Sequence, residues 1–290
     1  MRSVVKLTGL GEETVRAWER RYGAVEPART SGSARRYSEA DVARLLLLRR
    51  VSEAGYAIGS VAKLSQEALE ELLAKAHTPQ PSSPLAGLRE RYMEALRRFD
   101  AQEMQTLLAQ ASVAFAPRTL VLELLAPIMR AIGEGWLNQE VTIAMEHLAT
   151  SQIRALVDGF TRAVPLRAHA PRIVLATSEH QHHDLGLSMA ALLAAQQGVE
   201  PVLLGADVPF ADLASVLEET RAELLVLGYV RDMPPEEART VRARLRALAK
   251  TTPLWLAVAP THALATLHRE AKLLSSFEAF EQALALRFAA

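Results

Sequence analysis

Runs of apolar and polar positions divide this chain into three stretches with different periods. In the first, Thr8-Gly9-Leu10-Gly11 breaks a short apolar segment, and Glu12 to Tyr22 then reads as a helix closed by Gly23. Two acids in its first turn suit the helix dipole, and the glycine supplies a left-handed cap. Two short helices across a tight glycine-containing turn predict a helix-turn-helix whose second helix is free to enter a major groove. Ser38-Glu39-Ala40-Asp41 predicts a capped start for a further helix over Val42 to Ser52, largely buried along Leu45 to Leu48. His77 to Pro84 then has three prolines in eight residues and no apolar period, which predicts an extended hinge.

The second stretch has a strong helical period and short connections, and it predicts four helices at about 85–99, 101–115 with Asp100 as a cap, 117–136 and 141–163. A compact four-helix bundle follows. In the third, short β-branched apolar runs at 172–177, 200–205, 223–228, 254–258 and more weakly 271–275 alternate with helical runs. Nearly continuous apolar strands separated by helices indicate a parallel sheet covered on both faces. The expected organisation is therefore a multidomain α and α/β chain. It has a winged head over 1–77, a linker over 78–84, a bundle over 85–165 and a doubly wound, Rossmann-type α/β domain over 166–290.

Composition narrows the functions open to this architecture. With no cysteine among the 290 residues, disulfides, thiolate metal sites and cysteine nucleophiles are excluded. No apolar run reaches the roughly 18 residues of a membrane span, and the N-terminus lacks a charged-then-apolar leader pattern, so the expected location is cytoplasmic with no membrane partner. A net charge of zero conceals an asymmetry. Residues 1–50 hold 11 basic against 6 acidic side chains, and the remainder 22 against 27. A basic head on an acidic body points to a polyanion bound by the head alone, double-stranded DNA in this context. Arg16, Arg20 and Arg21 cluster on one flank of the second helix and can reach base edges and phosphates together. The loop from Pro27 to Ser38, with Arg29, Arg35, Arg36 and Tyr37, would act as a wing gripping the backbone.

The strongest chemical signal lies at 178–186, Ser-Glu-His-Gln-His-His-Asp-Leu-Gly, between the first apolar strand and its helix. Ligands of doubly wound sheets sit outside the carboxyl ends of the strands, where this loop belongs. Three histidines and two carboxylates within it suit a proton relay, a metal site or axial ligation of a cofactor metal. A solvated polar loop is the alternative. The chain contains no Ser-His-Asp arrangement, phosphate loop or glycine-rich nucleotide fingerprint.

The run Arg16-Ala-Trp-Glu-Arg-Arg-Tyr-Gly23 followed by Pro27, Arg29-Thr30, Gly32, Arg35, Tyr37-Ser38 and Asp41-Val42 resembles the winged-helix domain of MerR-family transcriptional regulators. It departs from that pattern where Ser33-Ala34 replaces the common Gly-His of the wing. That resemblance assigns Arg16, Arg20, Arg21, Tyr22, Arg29, Arg35, Arg36 and Tyr37 to promoter DNA, with Trp18 and Tyr22 equally suited to the core. Trp136, then Glu146-His147, is similar to the bundle that caps cobalamin in regulators of the CarH/LitR type and in corrinoid methyltransferases. The order of parts matches the regulators along essentially the whole chain, and the resemblance implies a flavodoxin-like sheet in the last of them.

The resemblance implies adenosylcobalamin with Trp136, Glu146 and His147 above the ring, His183 as lower axial cobalt ligand and Gly186 closing the motif. It also implies repression of transcription, a response to light and a homo-oligomer, dimer or tetramer. Within that motif, the expected acid is Gln181, and a neutral amide holds a ligating imidazole less firmly. Gly228-Tyr229-Val230 stands where the family has a serine and a small apolar pair, Ala257-Val258 where it has two glycines, and Leu137 where the light-sensing relatives have a histidine. The alternative is the same regulator with a sensor that takes another ligand or a protein, using His180, His182 and His183. A corrinoid-dependent enzyme is disfavoured by the head.

Overall fold

The computed structural model describes residues 4, 8, 10–25, 27–29, 35–53, 58–77, 84–231, 233–260 and 262–288. The chain divides into two compact units, Met1–Pro81 and Ser82–Ala290. The first contains α1 (Glu12–Tyr22), β1 (Ala28–Arg29), β2 (Arg35–Arg36), α2 (Glu39–Glu53), α3 (Ile58–Val61) and α4 (Gln66–His77). The expected first helix of the helix-turn-helix and the tip of the wing at 30–34 fall largely outside the described residues.

Helix α1 ends as its sequence demands. Gly23 is left-handed at φ 62°, with its N–H on the Glu19 carbonyl and the Ala24 N–H on the Trp18 carbonyl, which satisfies two carbonyls that would otherwise end unpaired. The next helix, α2, begins on a reciprocal cap. Ser38 donates from its backbone N–H and its hydroxyl to the Asp41 carboxylate, both at 2.8 Å, and the Asp41 N–H returns to Ser38 Oγ at 3.1 Å. Val15, Trp18, Leu45, Leu48 and Val51 form the core. The two short strands pair antiparallel, Ala28 opposite Arg36 and Arg29 opposite Arg35.

In the second unit, α5 (Pro84–Arg97), α6 (Ala101–Ala114) and α8 (Ile143–Ala163) follow their apolar period, with Asp100 and Thr142 capping α6 and α8 through side-chain oxygens. The remaining bundle helix, α7, changes type along its length. It is α over Pro117–Thr119, π over Leu120–Leu125 and α again over Ala126–Leu137. Pro127 explains the change: it has no N–H for the preceding turn, and the wider π turn, in which Ala126 N–H reaches the Val121 carbonyl, lets the helix pass the ring without breaking.

The strands β3 (Arg172–Ser178), β4 (Glu200–Val208), β5 (Leu224–Tyr229), β6 (Leu254–Val258) and β7 (Lys272–Leu274) form one parallel sheet in the order β4-β3-β5-β6-β7. This is the flavodoxin-like order, which places its topological switch point between β3 and β5. One face packs against α9 (Leu185–Gln196) and α12 (Phe277–Phe288) in a core continuous with the bundle. The other face is covered by α10 (Phe210–Thr220) and α11 (Pro235–Leu248). The loop from β3 to α9 therefore emerges at the switch point on the side where the bundle joins the sheet.

Candidate functional site

The backbone of the 178–184 loop is fixed from below. His180 and Asp207 both adopt left-handed conformations, φ 66° and 59°, which histidine and aspartate tolerate better than most residues. They hold one another: the His180 N–H donates to Asp207 Oδ1 at 2.7 Å, and the Asp207 N–H donates to the Gln181 carbonyl at 3.1 Å and to Thr177 Oγ1 at 2.9 Å. Glu179 accepts from the Phe210 N–H and from Arg244, whose guanidinium lies over the Phe210 ring. On this frame His180, His182 and His183 are exposed. No group of three His, Asp or Glu side chains among the described residues could hold a metal ion, which corrects the reading of the loop as a self-contained metal site.

Gln181 turns inward. Its side chain is 1% exposed, and neither its Oε1 nor its Nε2 has a partner. The His183 imidazole therefore receives no orienting bond from it. Asp184, next in the chain, is instead bound to the bundle. Arg154 on α8 reaches Asp184 Oδ1 at 2.6 Å and Oδ2 at 3.3 Å, and its second nitrogen also meets Ser188 Oγ at 3.1 Å. This latch joins the cap helix to the loop carrying His183, and nothing in the sequence pattern marked Arg154 for it.

Trp136 ends α7 with its indole 53% exposed. A tight return follows, in which the Gly135 carbonyl accepts from the Glu140 and Val141 N–H groups. Gly135 itself has no room for a side chain, because a Cβ there would lie 2.5 Å from Val141 Cγ2. This return brings the half-buried Glu146 and the exposed His147 into the first turn of α8. His147 and Arg154 are seven residues apart, two turns along the same helix face and about 10 Å in rise. His147 thus lies on the side of α8 that meets the histidine loop further down. The Leu137 side chain lies outside the described residues.

At the carboxyl ends of the strands the sheet is closed. Ser178 Oγ donates to the Tyr229 hydroxyl at 2.9 Å, joining β3 to β5 across the switch point. Tyr229 is 2% exposed, and burial pushes its hydroxyl pKa upward. The buried His262 lies beside it, ring centroids 6.0 Å apart. Its Nδ1 accepts from the Leu264 N–H, so Nε2 carries the proton toward the Arg231 carbonyl at 3.1 Å. On the opposite face Leu187 covers Gly228, where a Cβ would come within 3.3–3.4 Å of the leucine side chain. Val258 is buried alongside.

In the first unit Arg20 and Arg36 are exposed. Arg16 pairs with Glu12 one turn earlier. Arg35 Nε meets both Glu19 carboxylate oxygens at 2.9 Å, and the Tyr37 hydroxyl donates to the same group at 3.1 Å. Tyr22 is half-buried against the core, its ring 3.3 Å from where a Gly59 side chain would begin. The side chains of Arg21 and Arg29 lie outside the described residues. Sequence reasoning missed Arg44. From α2 it donates to the carbonyls of Ala24, Ala62 and Leu64, each at 2.8 Å. Backbone acceptors have no sequence signature, and Arg44 reads as one more positive charge.

Residues 1–68 match the MerR HTH family regulatory protein model, and residues 88–158 match the B12 binding domain model. The repressor CarH of Myxococcus xanthus is 35% identical over 256 residues, 87% of this chain and 85% of the relative. The chain belongs to the CarH/CarA family of MerR-type transcriptional regulators. A second member, the repressor CarA of Myxococcus xanthus, is 30% identical over 256 residues, 86% of this chain and 83% of the relative. The monomethylamine corrinoid protein of Methanosarcina barkeri superposes with a TM-score of 0.56 at 14% identity, covering 69% of this chain and 98% of that one. That likeness concerns the fold of the second unit. A flat, axially ligated ring suits the residues of this family member on its bundle side. They include a half-exposed indole, an exposed imidazole on α8 and the exposed His183.

Proposed function

We propose that this CarH/CarA-family protein is a cytoplasmic, DNA-binding transcriptional repressor whose second unit senses a corrinoid, and that it is not an enzyme. The observation that carries the reading is the exposure of Trp136 on α7, of His147 on α8 and of His183 on the loop that Arg154 ties to α8. An exposed tryptophan is an unusual use of surface unless a ligand covers it. His183 would ligate cobalt from below, Trp136, Glu146 and His147 would line the upper face, and Gly186 would keep the start of α9 clear. The latch from Arg154 to Asp184 would keep the two faces in register. Bound adenosylcobalamin supplies a metal–carbon bond that light can break, which would make occupancy a light-dependent signal.

In the head, Arg16 and Arg20 on α1 and Arg29, Arg35 and Arg36 on the ribbon would meet promoter DNA, with Arg21 on the same flank. Tyr37 would position Arg35 through Glu19. DNA held by two heads needs at least a homodimer. The closed strand ends and the unpartnered Gln181 favour one competing reading, a regulator whose sensor takes another ligand or a protein.

The deciding experiment is titration of the purified chain with adenosylcobalamin in the dark. A shifted visible spectrum that is lost in His183→Ala supports the corrinoid sensor. An unchanged spectrum and elution volume support the competing reading.

A further inference from the structure

Cobalamin has two parts of different shape, a flat corrin ring and a long nucleotide tail hanging from its lower face. In a sheet with this strand order, the crevice at the switch point between β3 and β5 is the entrance for a ligand. Here that entrance is filled from both sides. Tyr229 stands across it on one face, hydrogen-bonded to Ser178 at 2.9 Å and backed by the buried His262. Leu187 stands across it on the other, in contact with Gly228. Ser178, Tyr229, Leu187 and Val258 are all buried, whereas His183, a few residues away, is exposed. The ring-binding side is open and the tail-binding side is shut.

Resting on the corrinoid reading above, we infer that Leu187 and Tyr229 are specificity-determining residues, which make the sensor select a corrinoid by its ring and keep any nucleotide tail outside the sheet. Tail-less corrinoids then bind at least as well as cobalamin, because cobalamin must place its tail in solvent or displace two packed side chains. The glycine at 228 fits this arrangement, since a Cβ there would press on the Leu187 side chain at 3.3–3.4 Å.

The test titrates the full chain with adenosylcobinamide, which lacks the tail, and with adenosylcobalamin, following visible absorbance in the dark. The wild-type protein is expected to bind cobinamide with an affinity equal to or above that for cobalamin. Tyr229→Ala and, independently, Leu187→Ala are each expected to move the ratio toward cobalamin by about tenfold. Tyr229→Phe keeps the ring and removes only the bond to Ser178, so it should retain the wild-type ratio. Thermal unfolding of each variant shows that the sheet is intact, and the two alanine variants open opposite faces, so failure of one to fold leaves the other decisive. A wild-type preference for cobalamin of tenfold or more, unchanged in both alanine variants, overturns this inference and leaves the corrinoid sensor standing. Binding of neither compound to any of the proteins overturns both.

Discussion

The two units treat their functional side chains in opposite ways. In the head, three of the residues proposed to meet DNA already have partners: Arg16 with Glu12, and Arg35 and Tyr37 with Glu19. In the second unit the side chains of His180, His182 and His183 have none among the described residues, while the loop backbone is tied at His180 and Gln181 to Asp207 and Thr177. A surface for a polyanion works with side chains oriented before contact, since the partner is large and the charge acts at a distance. A ligand site needs a rigid frame under groups that are free to be ligated. The difference separates variants that should cost stability from variants that should cost only the ligand.

The largest expected effect is in the head. Arg44→Ala leaves the carbonyls of Ala24, Ala62 and Leu64 without their donors. At about 1–3 kcal/mol for each unsatisfied buried acceptor, the loss should be roughly 3 kcal/mol or more. Circular dichroism should show early melting of the head, and DNA binding should fall at every salt concentration. His183→Ala should do the reverse. It removes an exposed side chain without partners, so stability should change by less than about 0.5 kcal/mol, while any corrinoid-induced spectral shift disappears. A large drop in melting temperature for His183→Ala would erase the contrast.

Much of this division was readable in the chain. Ile173 to Ala176 are wholly buried, as a continuous apolar run followed by a polar loop requires, and Gly23 and Ser38 close and open their helices as their chemistry dictates. The structure adds what depends on residues distant in sequence. Pro127 lies inside a run with unbroken helical period, and the period conceals the π turn that accommodates it. Gln181 reads as a weak hydrogen-bond partner for the His183 ring, but the structure buries its amide without a partner among the described residues. Gly228 reads as a missing serine, yet Leu187, forty-one positions earlier, is what needs the space.

Intermediate effects lie where the units' two strategies overlap. The Arg154–Asp184 latch is part structural and part positional, with side chains 33% and 14% exposed. Arg154→Ala should cost about 1–2 kcal/mol, below the value for a fully buried pair because solvent screens the arginine. It should also weaken corrinoid binding more than a second substitution at His183 can add to, which a double-mutant cycle reads directly. Tyr37→Phe should cost less, about 0.5–1.5 kcal/mol for one hydrogen bond to Glu19. Burial, with help from that bond, raises the Tyr37 pKa from 10.0 to about 12. Because the folded value is the higher one, this contribution is complete below pH 10 and lost as the pH rises toward 12. Wild-type unfolding curves should show that decline, and the phenylalanine variant should lack it.

The smallest effect tests whether prior pairing alters how an arginine acts on DNA. Each phosphate neutralised contributes about 0.9 to the slope of log affinity against log salt. Arg36 is exposed on β2, so Arg36→Ala should lower the slope by about 1. Its neighbour Arg35 is held at 2.9 Å by both oxygens of Glu19, so much of its charge is already balanced, and Arg35→Ala should lower the slope by less. Glu19→Gln removes the balancing charge and keeps the carboxylate's shape, which should steepen the slope and bring Arg35 nearer to the behaviour of Arg36. Equal slopes for the two alanine variants, with no change in Glu19→Gln, would mean that the head's pairs dissolve on contact with DNA. The contrast with the unpaired histidines would then hold only for the free protein.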